Sequence, residues 1–335
     1  MNFESKNYLP NSSERIKHLQ KVVKGRPVAI LAAGTSINEL ENRIDGLINA
    51  DICYFGLNSY FVQEANIINK IEKSMSVVMC SSPSGISGIQ NEIIDFLNRK
   101  EENIFISSYH DNTFKHMGSD FNLTHFIEYY NKKLLFFYLH SDKSVPNKNL
   151  PLHFMISNSL LILIQLAIIG KASKVILFGA DGGYVNKKSS EWYHRQIDSG
   201  YRGSADGEFN DVPPQKIVID DTNKRFNPVA PIAIKNTYKT YNLSPIEILN
   251  CSEKSYYTPF PLISYDDALN SLITGLKIDV NKYKYSNGVE DFIYDRKNEY
   301  FQLEKYLSAW KKYRWSIIKI ISVKIMQKLK QRLWV

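Results

Sequence analysis

Between Ser157 and Ile169 the chain carries no charged residue, and apart from Ser157, Asn158, Ser159 and Gln165 every position is apolar. The run is shorter than the ~18 apolar residues that a membrane-spanning helix needs, so other parts of the protein must cover it. Gly170 ends it. A second apolar run, Lys174 to Phe178 (KVILF), then enters the turn Gly179-Ala180-Asp181-Gly182-Gly183-Tyr184. A buried helix feeding a buried strand is the repeating unit of a parallel sheet with helices on its faces.

The rest of the chain repeats the alternation. Residues 12–23 read as a leading helix. Pro27 to Leu31 reads as a strand, followed by small residues, with Thr35 or Ser36 at the N-cap of a helix over Ile37 to Ile48. Strand-length runs recur at 51–57, 75–80, 103–107, 134–139 and 246–249, with helical stretches near 59–72, 88–99, 120–132, 230–240 and 264–275. This predicts an α/β fold with a doubly wound, mostly parallel sheet, a single Rossmann-like domain over residues 1–283. No Pro/Gly/Ser-rich linker and no internal repeat argues for a further division. Residues 185–227 break the period, being rich in Tyr, Asp and Gly. A stretch that long inside a domain points to a functional lid, over about 182–227. Residues 284–335 read as a C-terminal helical extension.

Charge is unevenly placed. The chain of 335 residues has a formal net charge of +8, yet from Lys305 onward there are nine Lys/Arg and no Asp or Glu. The basic character therefore belongs to the tail, and the body is close to neutral. On a helix, Trp315, Ile318, Ile321, Ile325, Leu329 and Leu333 form one apolar stripe while Lys324, Lys328 and Arg332 line another face. That pattern predicts an interfacial helix on an anionic membrane surface, with a helix packed on the domain as its alternative. No nucleic-acid module accompanies the charge, so no nucleic-acid partner is expected. Cys53 and Cys80 lie inside apolar runs and Cys251 stands apart, which favours core packing and a reducing compartment. The polar N-terminus lacks the apolar core of a signal peptide, so a cytoplasmic location is expected.

In a parallel α/β sheet, ligands lie beyond the carboxyl ends of the strands. Three such turns stand out: Ala33-Gly34-Thr35-Ser36, Asn58-Ser59 and Ala180-Asp181-Gly182-Gly183. Small residues, backbone N–H groups and a hydroxyl at a helix start suit phosphate. The first turn lacks both the dinucleotide glycine spacing and the Gly-Lys-Ser/Thr of a P-loop, so a turn serving only packing stays open beside the phosphate reading. No Asp-x-Asp triplet occurs, and neither Asp220-Asp221 nor Asp266-Asp267 has a metal-site context, so no metal cofactor is expected.

The segments AILAAGTSI, DICYFGLNSYF, SVVMCSS and ISNSLLILIQLAIIGKASKVILFGADGGY resemble metal-independent bacterial sialyltransferases that use CMP-activated sugar. They also resemble the motility-associated factors and the hydroxymethylpterin-pyrophosphokinase-like domain. The resemblance covers roughly residues 27–250. It implies that Gly34, Thr35 and Ser36 meet the donor phosphate, and that Asn58, Ser157, Asn158, Ser159 and Asp181 contact the nucleotide sugar. The asparagine of the sialyltransferase turn falls on Ala33, and an arginine preceding the helix block falls on Met155, so the sugar carboxylate needs another cation. Lys187, Arg195, Arg202 and Arg225 are available. His194 is the one histidine at or beyond the lid and is the candidate general base, since an unperturbed imidazole titrates near working pH. Tyr184 and Tyr193, with Tyr201, could steady the departing phosphate.

These readings together imply an inverting glycosyltransferase that moves sialic acid or a related nonulosonate from a CMP-sugar to a lipid-linked or surface-glycan acceptor, peripheral on the inner face of the cytoplasmic membrane. A homo-oligomer remains compatible. The rival readings are an ATP-dependent, pterin pyrophosphokinase-like enzyme and a non-catalytic, membrane-associated assembly factor.

Overall fold

The computed structural model describes residues 12–32, 34–40, 43–48, 50–57, 71, 75–80, 90–108, 129–137, 158–182, 222–252 and 255–279. All of them belong to the first of two units, residues 1–288 and 289–335.

Seven strands form one sheet: β1 (Val28–Leu31), β2 (Cys53–Leu57), β3 (Met75–Cys80), β4 (Ile104–Ser108), β5 (Leu134–Phe137), β6 (Lys174–Phe178) and β7 (Glu247–Asn250). Their order is β5-β4-β3-β2-β1-β6-β7, and every adjacent pair is parallel. In the central pairs Val28 lies opposite Cys53 on one side and Val175 on the other. β1, β2, β3 and β6 are buried along their whole lengths. This is why they appear in the sequence as continuous apolar runs rather than alternating ones. The predicted α/β, doubly wound parallel sheet is the observed architecture.

The helices are α1 (Ser12–Val23), α2 (Asp45–Ile48), α3 (Gln90–Arg99), α4 (Ser159–Ile169), α5 (Asn227–Tyr241) and α6 (Tyr265–Thr274). One sheet face is covered by α2, α3 and α6. There Leu47, Phe96 and Leu272 join Ala29, Tyr54 and Ile176 in a single apolar cluster. On the other face α4 packs against β1, β2, α1 and α5. Ten of its eleven residues, Leu160 through Ile169, are buried, as the uncharged run requires. Its one interior polar side chain, Gln165, donates to Thr237 Oγ1 of α5 at 2.8 Å and to Ala233 O at 3.4 Å. A Cβ on Gly170 would come within 2.6 Å of Val23 Cγ2. Glycine here lets α4 close onto α1, and Lys171 takes the left-handed φ of 65° that turns the chain into β6.

One expectation needs correction. The helix expected over 37–48 is a 3-10 turn, Thr35–Leu40, followed by the single turn of α2. Ile37, Leu40, Ile44 and Leu47 are all fully buried, as the helical spacing demands. The backbone, however, bonds Arg43 N–H to Leu40 O at 2.8 Å and Leu47 N–H to Ile44 O at 2.9 Å, three residues back. Asn38, Asn42 and Gly46 are weak helix formers, and the tighter turn keeps the same residues buried. At the end of the expected lid, a π-turn over Thr222–Phe226 leads into α5. Thr222 and Phe226 are buried, which anchors that stretch to the domain. The lid over 183–221, the stretch 59–70 and the extension 284–335 lie outside the described residues.

Cys53, Cys80 and Cys251 are all buried, as core packing predicts. Burial pushes the Cys53 thiol up to about 11 and Cys251 well above its ordinary value. Among the described residues no helix is long and apolar enough to cross a membrane.

Candidate functional site

From β1 the chain steps toward β2 on one side, and from β6 toward β7 on the other, although β1 and β6 are neighbours. Successive connections therefore diverge at this pair, and it is at the carboxyl end of such a switch point that parallel sheets form their ligand crevice. The turns containing Gly34 and Asp181 meet there.

Two backbone bonds extend the β1–β6 pairing past the strands: Ala32 N–H to Phe178 O and Gly34 N–H to Gly179 O, each 2.8 Å. The approach leaves no room for side chains. A Cβ on Gly34 would stand 2.4 Å from Gly179 O and 2.5 Å from Asp181 Oδ2. One on Gly179, whose φ is +66°, would stand 2.7 Å from Ala32 O. Gly34 and Gly179 are thus required by the fold at this point, whatever ligand they also serve.

Asp181 is only 3% exposed, and its carboxylate is fully engaged. Oδ2 accepts from the Ser36 N–H at 3.2 Å, and Oδ1 accepts from the Ser36 hydroxyl at 2.5 Å and from the Ser252 hydroxyl. A buried carboxylate is tolerated when donors of this kind replace water. The bonds tie together three segments distant in sequence: the turn after β1, the end of β6 and the segment after β7. Tyr265, the first residue of α6, donates its hydroxyl to Ser36 O at 2.6 Å. Burial raises that phenol's pKa, so it remains a donor. Lys174 secures the other end of α6, donating to Ser271 Oγ at 2.6 Å and Leu276 O at 2.8 Å. A cation at a helix C-terminus is favourably placed.

The segment after β7 is itself organised by Asn250. Its Nδ2 donates to Ala180 O at 3.1 Å and to Ser255 Oγ at 2.9 Å, while its Oδ1 accepts from the Ser252 N–H at 3.1 Å. Ser255 also donates to Ala180 O at 2.7 Å, and Tyr256 N–H donates to Asp181 O at 2.8 Å. Thr222 donates to Gly182 O at 2.8 Å. Tyr257 packs beside Gly182 and against the ring of Phe226, with centroids 4.4 Å apart.

Of the site residues expected from sequence, Gly34, Ser36 and Asp181 converge, and Thr35 opens the 3-10 turn beside them. Asn158 is the N-cap of α4, its side chain accepting from Leu161 N–H at 3.1 Å, and Ser159 is the first helical residue. Because α4 runs back to the start of β6, its N-terminus lies toward the carboxyl edge of the sheet. Ala33, Asn58, Ser157, Tyr184, Tyr193 and His194 lie outside the described residues. The first turn differs from a bare phosphate cradle in one respect, since the Ser36 hydroxyl is directed at Asp181. Ser252, Asn250, Ser255 and Tyr265 were not anticipated. The run Asn250-Cys251-Ser252 follows a predicted strand, so the carboxyl-end rule applied to that strand points to it as well. Among the described residues no group of His, Cys, Asp and Glu could hold a metal ion.

No family model matches the chain, and no curated protein matches it by sequence. Among solved structures it is similar to the sialyltransferase CstII from Campylobacter jejuni in complex with a substrate analogue, cytidine-5'-monophosphate. That match has 13% identity and a TM-score of 0.37, covering 84% of this chain and 98% of that one. It is also similar to the same sialyltransferase in complex with CMP-3FNeuAc, at 13% identity and a TM-score of 0.34, covering 84% and 99%. At that level of likeness, the reading of function rests on the site itself.

Proposed function

We propose that this chain is a glycosyltransferase of sialyltransferase type. It transfers an acidic sugar, sialic acid or a related nonulosonate, from a CMP-activated donor to a surface-glycan acceptor. The observation that carries the reading is the convergence at the β1–β6 crevice of Gly34 and Ser36 with Asp181. These are the residues in which the sequence resembles the sialyltransferase blocks, and they meet where a parallel sheet binds ligands. Asn158 and Ser159 open α4 toward the same edge.

In this reading the acceptor hydroxyl attacks the anomeric carbon while the bond from that carbon to the CMP phosphate oxygen breaks, inverting the centre. His194 takes the hydroxyl proton, and Tyr184 and Tyr193 donate to the departing phosphate. No metal is assigned a part. The acceptor is lipid-linked or part of a surface glycan, reached from the inner face of the cytoplasmic membrane through the basic tail.

Thermal unfolding with CMP, CDP, UDP and ATP, each with and without magnesium, tests the donor. CMP at a hundredfold excess over its Kd is expected to add about 2.7 kcal/mol without magnesium, roughly 4 °C in Tm. Stabilisation by ATP with magnesium alone would replace this reading with the pyrophosphokinase-like one. No stabilisation by any of the four would favour a non-catalytic role. For the base, His194→Ala is expected to keep CMP binding and lose transfer of sialic acid from CMP-sialic acid; full transfer by that variant removes His194 from the mechanism.

A further inference from the structure

One oxygen of Asp181 holds two hydroxyl donors. Oδ1 accepts from Ser36 and from Ser252, while Oδ2 accepts the Ser36 N–H. Of the three donors, only the Ser36 hydroxyl belongs to a side chain on the exposed side of the cluster. Ser36 is half-buried, whereas Ser252 is 1% exposed. Ser252 is also fixed from behind, its N–H held by Asn250 Oδ1, and Asn250 in turn grips Ala180 O and Ser255. The Ser36 backbone is held independently of its own hydroxyl, through its N–H on Oδ2 and through Tyr265 on its carbonyl.

We propose that Ser252 is a positioning residue that releases Ser36 for the ligand, a role that rests on the sugar-nucleotide reading of this crevice. A χ1 rotation of Ser36 moves its Oγ–H from Asp181 to an incoming phosphate oxygen while the backbone stays in place. The buried carboxylate then keeps one hydroxyl, from Ser252, and one N–H, from Ser36. Without Ser252, the same rotation strips Oδ1 of its last donor in a site with almost no solvent access. A buried acceptor left unpaired is far more costly than the mean worth of a hydrogen bond. Ligand binding would then have to overcome that cost. Ser252 acts through Asp181 and does not touch the ligand.

The test measures CMP affinity by calorimetry and ligand-free stability by urea unfolding, for the unaltered chain, Ser252→Ala, Ser252→Thr, Ser36→Ala and the double alanine variant. Ser252→Ala is expected to unfold near the parent midpoint without ligand, because Ser36 still satisfies Oδ1. It should bind CMP about tenfold more weakly or worse. Ser252→Thr restores binding by returning the hydroxyl. In the Ser36→Ala background, removing Ser252 is expected to lower ligand-free stability markedly, because Oδ1 then loses both hydroxyls. The proposal is overturned if Ser252→Ala binds CMP as tightly as the parent, or if it fails to fold, since Ser36 alone would then not suffice for Asp181. If the unaltered chain does not bind CMP, the sugar-nucleotide reading falls and this role falls with it. Parent-like CMP binding by Ser252→Ala removes only the role of Ser252.

Discussion

Replacing Gly34 by alanine isolates the contact on which the site depends. The added methyl carbon would stand 2.4 Å from Gly179 O, 2.5 Å from Asp181 Oδ2 and 2.6 Å from Asp181 Cγ. None of these is the free end of a flexible side chain. One is a backbone carbonyl already bonded to the Gly34 N–H at 2.8 Å, and the others belong to a carboxylate held by Ser36 and Ser252. Relief requires the two turns to separate, which lengthens the bond between Gly34 and Gly179. Forcing a methyl into a packed site costs about 1–3 kcal/mol, and weakening the bond adds about 1 kcal/mol. The sum, about 2–4 kcal/mol, corresponds to a fall in Tm of roughly 3–7 °C for a domain of this size. Gly46→Ala is the internal control. Among the described residues its methyl would meet only Ile273 Cδ1, at 3.6 Å, inside α2, where alanine is favoured over glycine by about 1 kcal/mol. Chemical denaturation of the two variants beside the parent reads both effects. A Gly34→Ala protein within about 0.5 kcal/mol of the parent would refute the close approach of the two turns, and with it the geometry of the crevice.

Three further outcomes follow from packing and charge. Because Cys53, Cys80 and Cys251 are buried and burial holds Cys53 and Cys251 as thiols, a thiol reagent at neutral pH should label none of them in the native protein and all three in denaturant. Rapid native labelling of any one contradicts its placement in the core. His18 is 7% exposed, and its pKa is lowered from 6.5 by burial, then by Lys132, Lys21 and Lys133. The unfolded chain therefore takes up a proton before the folded one does. Stability should be full above about 6.5 and decline as pH falls below it, and His18→Gln should flatten that decline in urea titrations. The basic stripe beyond residue 304 predicts that the full chain floats with vesicles containing anionic lipid and that a 1–304 truncation does not. Equal flotation removes the tail as the anchor.

The strands were legible because a parallel sheet covered on both faces makes most of each central strand apolar. Val28–Leu31, Met75–Cys80 and Lys174–Phe178 have no polar face to hide their signal. The segment 37–48 was misread for the opposite reason. Ile37, Leu40, Ile44 and Leu47 satisfy a helical spacing equally well when a 3-10 turn and a short α turn carry them, so burial alone cannot distinguish the two backbones. At the site, the carboxyl-end rule found Gly34, Ser36 and Asp181, since each follows a strand directly. It did not find Tyr265, which reaches Ser36 from 229 residues away at the start of a helix. Nor did it reveal where the Ser36 hydroxyl points.

That hydroxyl changes the chemistry expected of the crevice. Read from sequence, Ser36 is a donor awaiting a phosphate and Asp181 a second polar group beside it. In the folded protein each is the other's partner, so a ligand oxygen takes the Ser36 hydroxyl proton only by exchange with a buried carboxylate. A phosphate can make that exchange because its oxygens accept the hydroxyl as Asp181 did. An apolar ligand would leave the serine bonded where it is. A cation would be drawn to Asp181, but its two oxygens are already covered by three donors in a site with almost no solvent access. On the proposed reading, a phosphate at this turn is met by exchange of the Ser36 hydroxyl and not by a helix dipole, which the six-residue 3-10 turn supplies only weakly.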